Sequence, residues 1–176
     1  RSAKFCGALL EGADFSEAVA HGVALRGARM AEANLTATDL RAASAEGVDL
    51  CHAVMDGVNL EGAQLRGARL GSATMRGARM TSARIAKCNL DGVTLSAAVL
   101  DNVDLAASSM RGAGLQGASF VAAHARGAVF GSVDAAGANF DRAELQGADF
   151  GGAKLAGALL CRIRGTGADL RGASLK

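Results

Sequence analysis

The sequence contains no Pro, Trp or Tyr, and six Phe supply its whole aromatic content of 3%. A typical globular domain of 176 residues fills its core with aromatics and punctuates its loops with Pro, so this chain is built some other way. Long apolar runs are missing too. Nothing approaches the roughly 18 residues needed to cross a bilayer, and Glu11, Asp14 and Glu17 stand where a signal peptide needs an apolar segment. Neither sign of charge is in large excess: 19 Lys and Arg face 17 Asp and Glu. With 50% hydrophobic residues, the chain is far from the regime in which burial fails to offset chain entropy. These exclusions leave a soluble, folded protein and name no activity.

What the sequence has in abundance is Ala, Leu and Gly in a fixed order. Every fifth residue from Phe5 to Leu175 is a centre, and the 35 centres comprise 18 Leu, six Phe, five Met and one Ile, with five smaller residues. Two residues before each centre stand 25 Ala and six Val, the departures being Thr38, Cys88, Ser108 and Ile163. Two residues after the centres lie 19 of the 24 Gly. The unit reads A-x-L-x-G, as in Ala8-Leu9-Leu10-Glu11-Gly12. On a helix a period of five drifts by about 140° per repeat and forms no face. It matches neither the period of two of a strand nor the seven of a coiled coil. It suits a chain that turns a corner every five residues. Four corners close a square coil of about 20 residues, whose amides pair with the coils above and below at roughly 4.8 Å. The small residue sits near the axis, the large one fills the interior, and Gly relieves the corner.

This pattern resembles the pentapeptide-repeat family over the whole chain, Ala3 to Lys176. The family's Asp or Asn before the centre occurs at eleven positions, among them Asp14, Asn34, Asp39 and Asp169. The resemblance implies an all-β fold, a right-handed quadrilateral parallel β-helix, with residues 1–176 forming a single domain. Such a rod would have about nine coils and a length of roughly 42 Å at the strand spacing. Five small centres interrupt the pattern: Ala20, Ala45, Ala125, Ala135 and Gly165. Ala125 and Ala135 lie between Phe120, Phe130 and Phe140, which predicts that larger neighbours fill the volume the alanines leave. Arg1 and Lys176 are in register without the polar caps that stacked repeats need. The expectation is therefore a fragment of a longer bacterial protein, or an end covered by a partner or a second copy.

The motifs that carry chemistry elsewhere are weak here. Cys6, Cys51, Cys88 and Cys161 are too unevenly spaced to meet in a 20-residue coil; Cys88 should point inward and the other three outward, as free thiols in a reducing compartment. His21, His52 and His124 are equally scattered, so no metal and no cofactor is expected. Gly112-Ala113-Gly114-Leu115-Gln116-Gly117 matches a dinucleotide fingerprint only because Gly112 and Gly117 are successive corners, with no helix after them. Asn34-Leu35-Thr36 is a glycosylation sequon by letters alone. No nucleophile has a base beside it, and a convex rod offers no cleft to orient one, so no enzyme is predicted.

Charge is more informative. Arg29, Asp49 and Arg69 recur every 20 residues, as do Arg26, Glu46 and Arg66, which predicts stacked ion pairs each contributing under about 1 kcal/mol. From Gly62 to Leu90 there are six bases, Arg66, Arg69, Arg76, Arg79, Arg84 and Lys87, and no acid. They are a candidate belt for an anionic partner, although their spacing also distributes them around four faces. Without aromatics to stack on bases, nucleic-acid recognition is weakly supported. Some members of the resembled family mimic DNA, bind DNA gyrase and protect it from quinolones, and those rods are strongly acidic. A net charge of +2 disfavours that for this chain as a whole. Other members serve as interaction or targeting modules of secreted effectors. The leading expectation is a non-catalytic protein-interaction scaffold or structural solenoid with a protein partner. It would be cytoplasmic or exported without a signal peptide.

Overall fold

The fold is described from a computed structural model covering residues 3–176. Its backbone is tied together by parallel bridges, each joining a residue to the one 20 positions later, from Lys4 with Ala24 to Lys154 with Ser174. The register never slips. Each bridged residue is the one before a centre, so every side of the square contributes one bridge per coil and no continuous strand. A five-residue side is too short for a longer ladder, because two of its residues are consumed by the corner.

The amides show how tightly the square is drawn. In the side at Phe5, the amide of Phe5 donates to Ala24 O at 2.7 Å and that of Gly7 to Arg26 O at 2.9 Å, while Ala24 N donates to Ala3 O at 3.1 Å. Ala8 N closes the corner on Phe5 O at 3.0 Å. The third residue of each corner has positive φ, from Gly7 at 66° to Gly172 at 72°, as a type II turn requires. Fifteen of these positions are not Gly, Lys87 at 59° and His52 at 60° among them, so the stacked ladder holds ordinary residues in a region they avoid.

One amide in each unit, that of the residue after the centre, has no backbone acceptor among the described residues. The Asp and Asn before the centres supply one. All eleven accept from the amide two residues on, as Asp14 does from Ser16 at 2.9 Å, Asn59 from Glu61 at 3.1 Å and Asp149 from Gly151 at 2.8 Å. This Asx turn explains the acid at that position. Asn34 of the sequon is one of these caps, holding both the amide and the hydroxyl of Thr36. Elsewhere the coil beneath serves: Asp56, Asp91 and Asp101 accept from the amides of Arg76, Arg111 and Val121.

The interior is a column of buried centres and small residues from Val23 to Leu155. Phe120 stacks on Phe140 with centroids 4.9 Å apart, and Phe130 on Phe150 at 4.6 Å. The two stacks meet edge to face at 5.7 to 6.2 Å. The rings come from opposite sides of the square and take the middle of the column, and Ala125 and Ala135 on the other two sides are 1% and 0% exposed. Volume compensation therefore holds where the sequence pattern breaks. At Ala20 it is incomplete, and an open cavity of about 400 Å³ lies among Phe5, Phe15, Val23, Leu25 and Leu40. The polar residues at small positions are satisfied inside: Thr38 Oγ1 donates to Phe15 O at 2.8 Å, and Ser108 Oγ donates to Ile85 O at 2.6 Å while accepting from Cys88 N at 3.1 Å.

Phe130→Ala should cost about 3–5 kcal/mol and Ala135→Leu about 1–3 kcal/mol. Combining Phe130→Leu with Ala135→Leu should cost less than the sum of the two single changes, because one makes the room the other needs; denaturant unfolding measures all four. Additive costs would show that the alanine and the rings do not share space. Acid should weaken the caps. Arg41 grips Asp39 through its side chain, and Arg171 grips Asp169, holding both carboxyls down at about 2. Since the folded values lie below the unfolded one, this stabilisation is complete above about pH 4 and is lost as pH falls towards 2. Asp39→Asn should keep the cap and remove that acid dependence, whereas Asp39→Ala loses both, read by unfolding between pH 2 and 7.

Candidate functional site

The outward residues of each side form columns that run along the rod, and their charges are not shared evenly. The side that carries Phe5, Leu25, Ala45 and Leu65 holds seven of the 19 Lys and Arg but only three of the 17 Asp and Glu. The rest of the chain is left with 12 bases against 14 acids. Ala45, Ala125 and Gly165, three of the five small centres, belong to that same side.

The six bases of the sequence belt do not form one surface. Arg69, Arg76 and Arg79 lie on three other sides, and each is paired: with Asp49 at 3.2 Å, Asp56 at 3.1 Å and Glu61 at 2.5 Å. Arg66, Arg84 and Lys87 come together on the basic side, and among the described residues no carboxylate is within ion-pair distance of them. They line a groove of about 620 Å³ together with Glu46, Gln64 and Asp104. Its floor is open because Ala86, Ala106 and Ala107 occupy the outward positions there. The side's other corner residues with positive φ are Gly, from Gly7 to Gly167, and the two exceptions, Lys87 and Ala107, both border the groove.

The predicted charge stacks are only partly realised. Asp49 pairs with Arg69, but Arg29 turns to Glu11 at 2.7 Å, and Arg26, Glu46 and Arg66 are stacked without pairing. A second cluster lies further along the basic side, where Glu144 meets His124 at 3.2 Å, Arg126 at 3.1 Å and Arg164 at 3.3 Å. The contact with His124, then the two guanidinium charges, hold the Glu144 carboxyl below its ordinary range. Its bases are thus already occupied, unlike those of the groove.

The cysteines lie as their positions predict. Cys88 is buried, and loss of hydration pushes its thiol up to about 11, whereas Cys6 and Cys161 are exposed and Cys51 is half-buried. Burial also raises the Cys51 thiol. Among the described residues no group of three or more His, Cys, Asp or Glu is close enough to hold a metal ion, and no helix is long and apolar enough to cross a membrane. Gly112 and Gly117 of the fingerprint-like stretch are both corner residues with positive φ.

The model of the family described as pentapeptide repeats matches in eight copies, covering residues 1–31, 33–71 and, in overlapping segments, 62–96, 88–124, 115–152, 126–160 and 143–176. The chain belongs to the pentapeptide-repeat family. Proteins of this family adopt a right-handed quadrilateral β-helix, and the parallel bridges 20 residues apart fit that architecture. Among solved structures, a trypsin-treated variant of QnrB1, a plasmid-mediated fluoroquinolone resistance protein, is similar at 24% identity over 100% of this chain and 86% of that one, with a TM-score of 0.51. HetL from the cyanobacterium Nostoc, described as involved in regulating heterocyst differentiation, is 22% identical over 97% and 89%, with a TM-score of 0.39. A pentapeptide repeat protein of the Arabidopsis thaliana thylakoid lumen is 28% identical over 57% and 66%, with a TM-score of 0.49. A search of curated proteins returns no match.

Thiol labelling should separate the cysteines of this pentapeptide-repeat rod. Cys6 and Cys161 should react first, Cys51 more slowly, and Cys88 only once the rod unfolds. Mass spectrometry of labelled peptides measures the order, and early labelling of Cys88 would contradict its place in the column.

Proposed function

We propose that this pentapeptide-repeat chain is a non-catalytic scaffold that binds a protein partner along the side of the rod. The observation that carries this reading is the division of labour in the repeat. Centres and small residues build the column, while the basic side keeps unpaired charge that the fold does not use. Exposed ion pairs contribute little to stability, so an uneven charge distribution is better explained by encounter with a partner than by folding. A bacterial origin, and a place in the cytoplasm or export without a signal peptide, belong to the same proposal.

The DNA-mimic reading carries less weight. QnrB1 shares the fold at an identity that supports fold alone. A polyanion mimic needs a continuous acidic side, and here the side with most acids has six of them with Arg29, Arg69, Arg111 and Arg171 interspersed.

The test is affinity capture with the rod, followed by binding of the purified pair. A protein recovered at near-equal stoichiometry that binds the purified rod, and that loses affinity when exposed charges of the basic side are reversed, is the expected result. Recovery of nothing by the rod would favour a spacer. A supercoiling assay run beside it, with and without a quinolone, should show no effect of micromolar rod on DNA gyrase.

A further inference from the structure

We propose that the groove at Arg66, Arg84 and Lys87 docks an extended segment of a partner protein in which an acidic centre is flanked on both sides by basic residues. This assignment deepens the scaffold reading and rests on it.

Glu46 and Arg66 stand in the column after the centres, and Gln64, Arg84 and Asp104 in the column that precedes them. With Lys87 at the corner, the sequence of charge up the groove is negative, positive, doubly positive, negative. All three bases are exposed and lack an ion-pair partner among the described residues, while Arg69, Arg76 and Arg79 on the other sides each have one. Unpaired bases retain their full attraction for an incoming carboxylate, and the alanine floor leaves room for a chain to lie between the columns.

Distances select the occupant. Three coil steps separate Glu46 from Asp104, roughly 14 Å at the strand spacing. An extended peptide places residues on one face every 6.8 Å or so, so its first, third and fifth residues span about the same length. A base, an acid and a base at those positions would face Glu46, the Arg66–Arg84 pair and Asp104 in turn. A continuous polyanion fits less well, because its charges would run past Glu46 and Asp104 at both ends of the groove. Every Phe is a centre of the column and none lies on the outer surface to stack on a nucleobase. The complementarity is therefore one of pattern, which gives specificity at little net charge.

The experiment uses two fluorescently labelled synthetic peptides of identical composition and net charge, Lys-Ser-Glu-Ser-Lys and Lys-Ser-Lys-Ser-Glu, the second with its acid moved from the centre to the end, and binding to the full chain is measured by fluorescence anisotropy at low salt. The first should bind at least about tenfold more tightly than the second, and Arg66→Glu with Arg84→Glu and Lys87→Glu should abolish the difference. The triple change Arg69→Glu, Arg76→Glu and Arg79→Glu alters net charge equally and should leave it intact. Because charge reversal could disturb the coils, the Gln versions are measured in parallel and both are checked by circular dichroism. Equal binding of the two peptides, binding of neither, or a preference that survives loss of the groove bases overturns the proposal. So does tighter binding of duplex DNA or of phosphatidylserine vesicles through the same residues. A partner captured by the rod while these peptides fail would leave the scaffold reading standing and reject only this groove.

Discussion

A square coil five residues on a side cannot bury a core by itself. It has room for four inward centres and four small residues, and apart from the corner bond and the capped amide its backbone groups point up or down the axis. Stability comes mainly from the next coil, through the hydrogen bonds that link residues 19 or 21 positions apart around each 20-residue bridge and through the centres that pile on one another. That vertical register then governs everything else. It forces positive φ at every corner, since only a tight turn returns the chain to the same side. It fixes which amide lacks a backbone acceptor and so where Asp and Asn are useful. It also bars Pro from every position but the one after the centre, because every other amide donates to the ladder or closes the corner. In such a one-dimensional stack each coil answers only to its neighbours, so a local fault is repaired locally. The four stacked Phe around Ala125 and Ala135 are one such repair.

Much of this was legible in the sequence because the period is short and unbroken. Thirty large centres in phase leave no alternative element, and reading positions modulo 20 assigns each side chain to a side before any coordinate is known. The inward place of Cys88 and the exchange of volume between Ala125, Ala135 and the phenylalanines came from that arithmetic. The capping role of the eleven Asp and Asn did not, because it depends on which amides the ladder leaves free. Nor did the cavity near Ala20, whose neighbours Phe5 and Phe15 meet edge to face at 6.2 Å yet leave the space unfilled.

The basic belt shows what grouping by side adds to linear reading. Six bases between Gly62 and Leu90 without an acid look like one patch, but on a square rod they wind around all four sides. Acids from neighbouring coils neutralise three of them. The functional contrast lies along the axis: on the first side the charges of Lys4, Arg26, Arg66, Arg84, Arg126 and Arg164 recur at intervals close to 20 or its multiples. That signal was present in the sequence and becomes visible once residues are grouped by side. What no grouping could reveal is that Arg66 does not pair with Glu46 below it, nor Arg84 with Asp104 above, although both pairs are 20 residues apart and Arg84 and Asp104 are bridged as Arg69 and Asp49 are.

That last difference bears on how a rod of this kind acquires specificity. The column must keep its centres, and the corners must keep their turns, so a new partner can be met only through the outward residues beside each centre and the corner residues that, like Lys87, are not Gly. Pairing those residues with one another adds under about 1 kcal/mol per exposed pair and removes them from recognition. Leaving them unpaired costs the fold almost nothing, because the side chains stay in water. Selection for binding therefore acts on these columns nearly free of the constraint of stability, and a local run of unpaired charge bounded by opposite charge is what such selection would leave. The groove between Glu46 and Asp104 has that form, whereas the Glu144 cluster, with three cationic partners already in place, has the form of a surface that only stabilises itself.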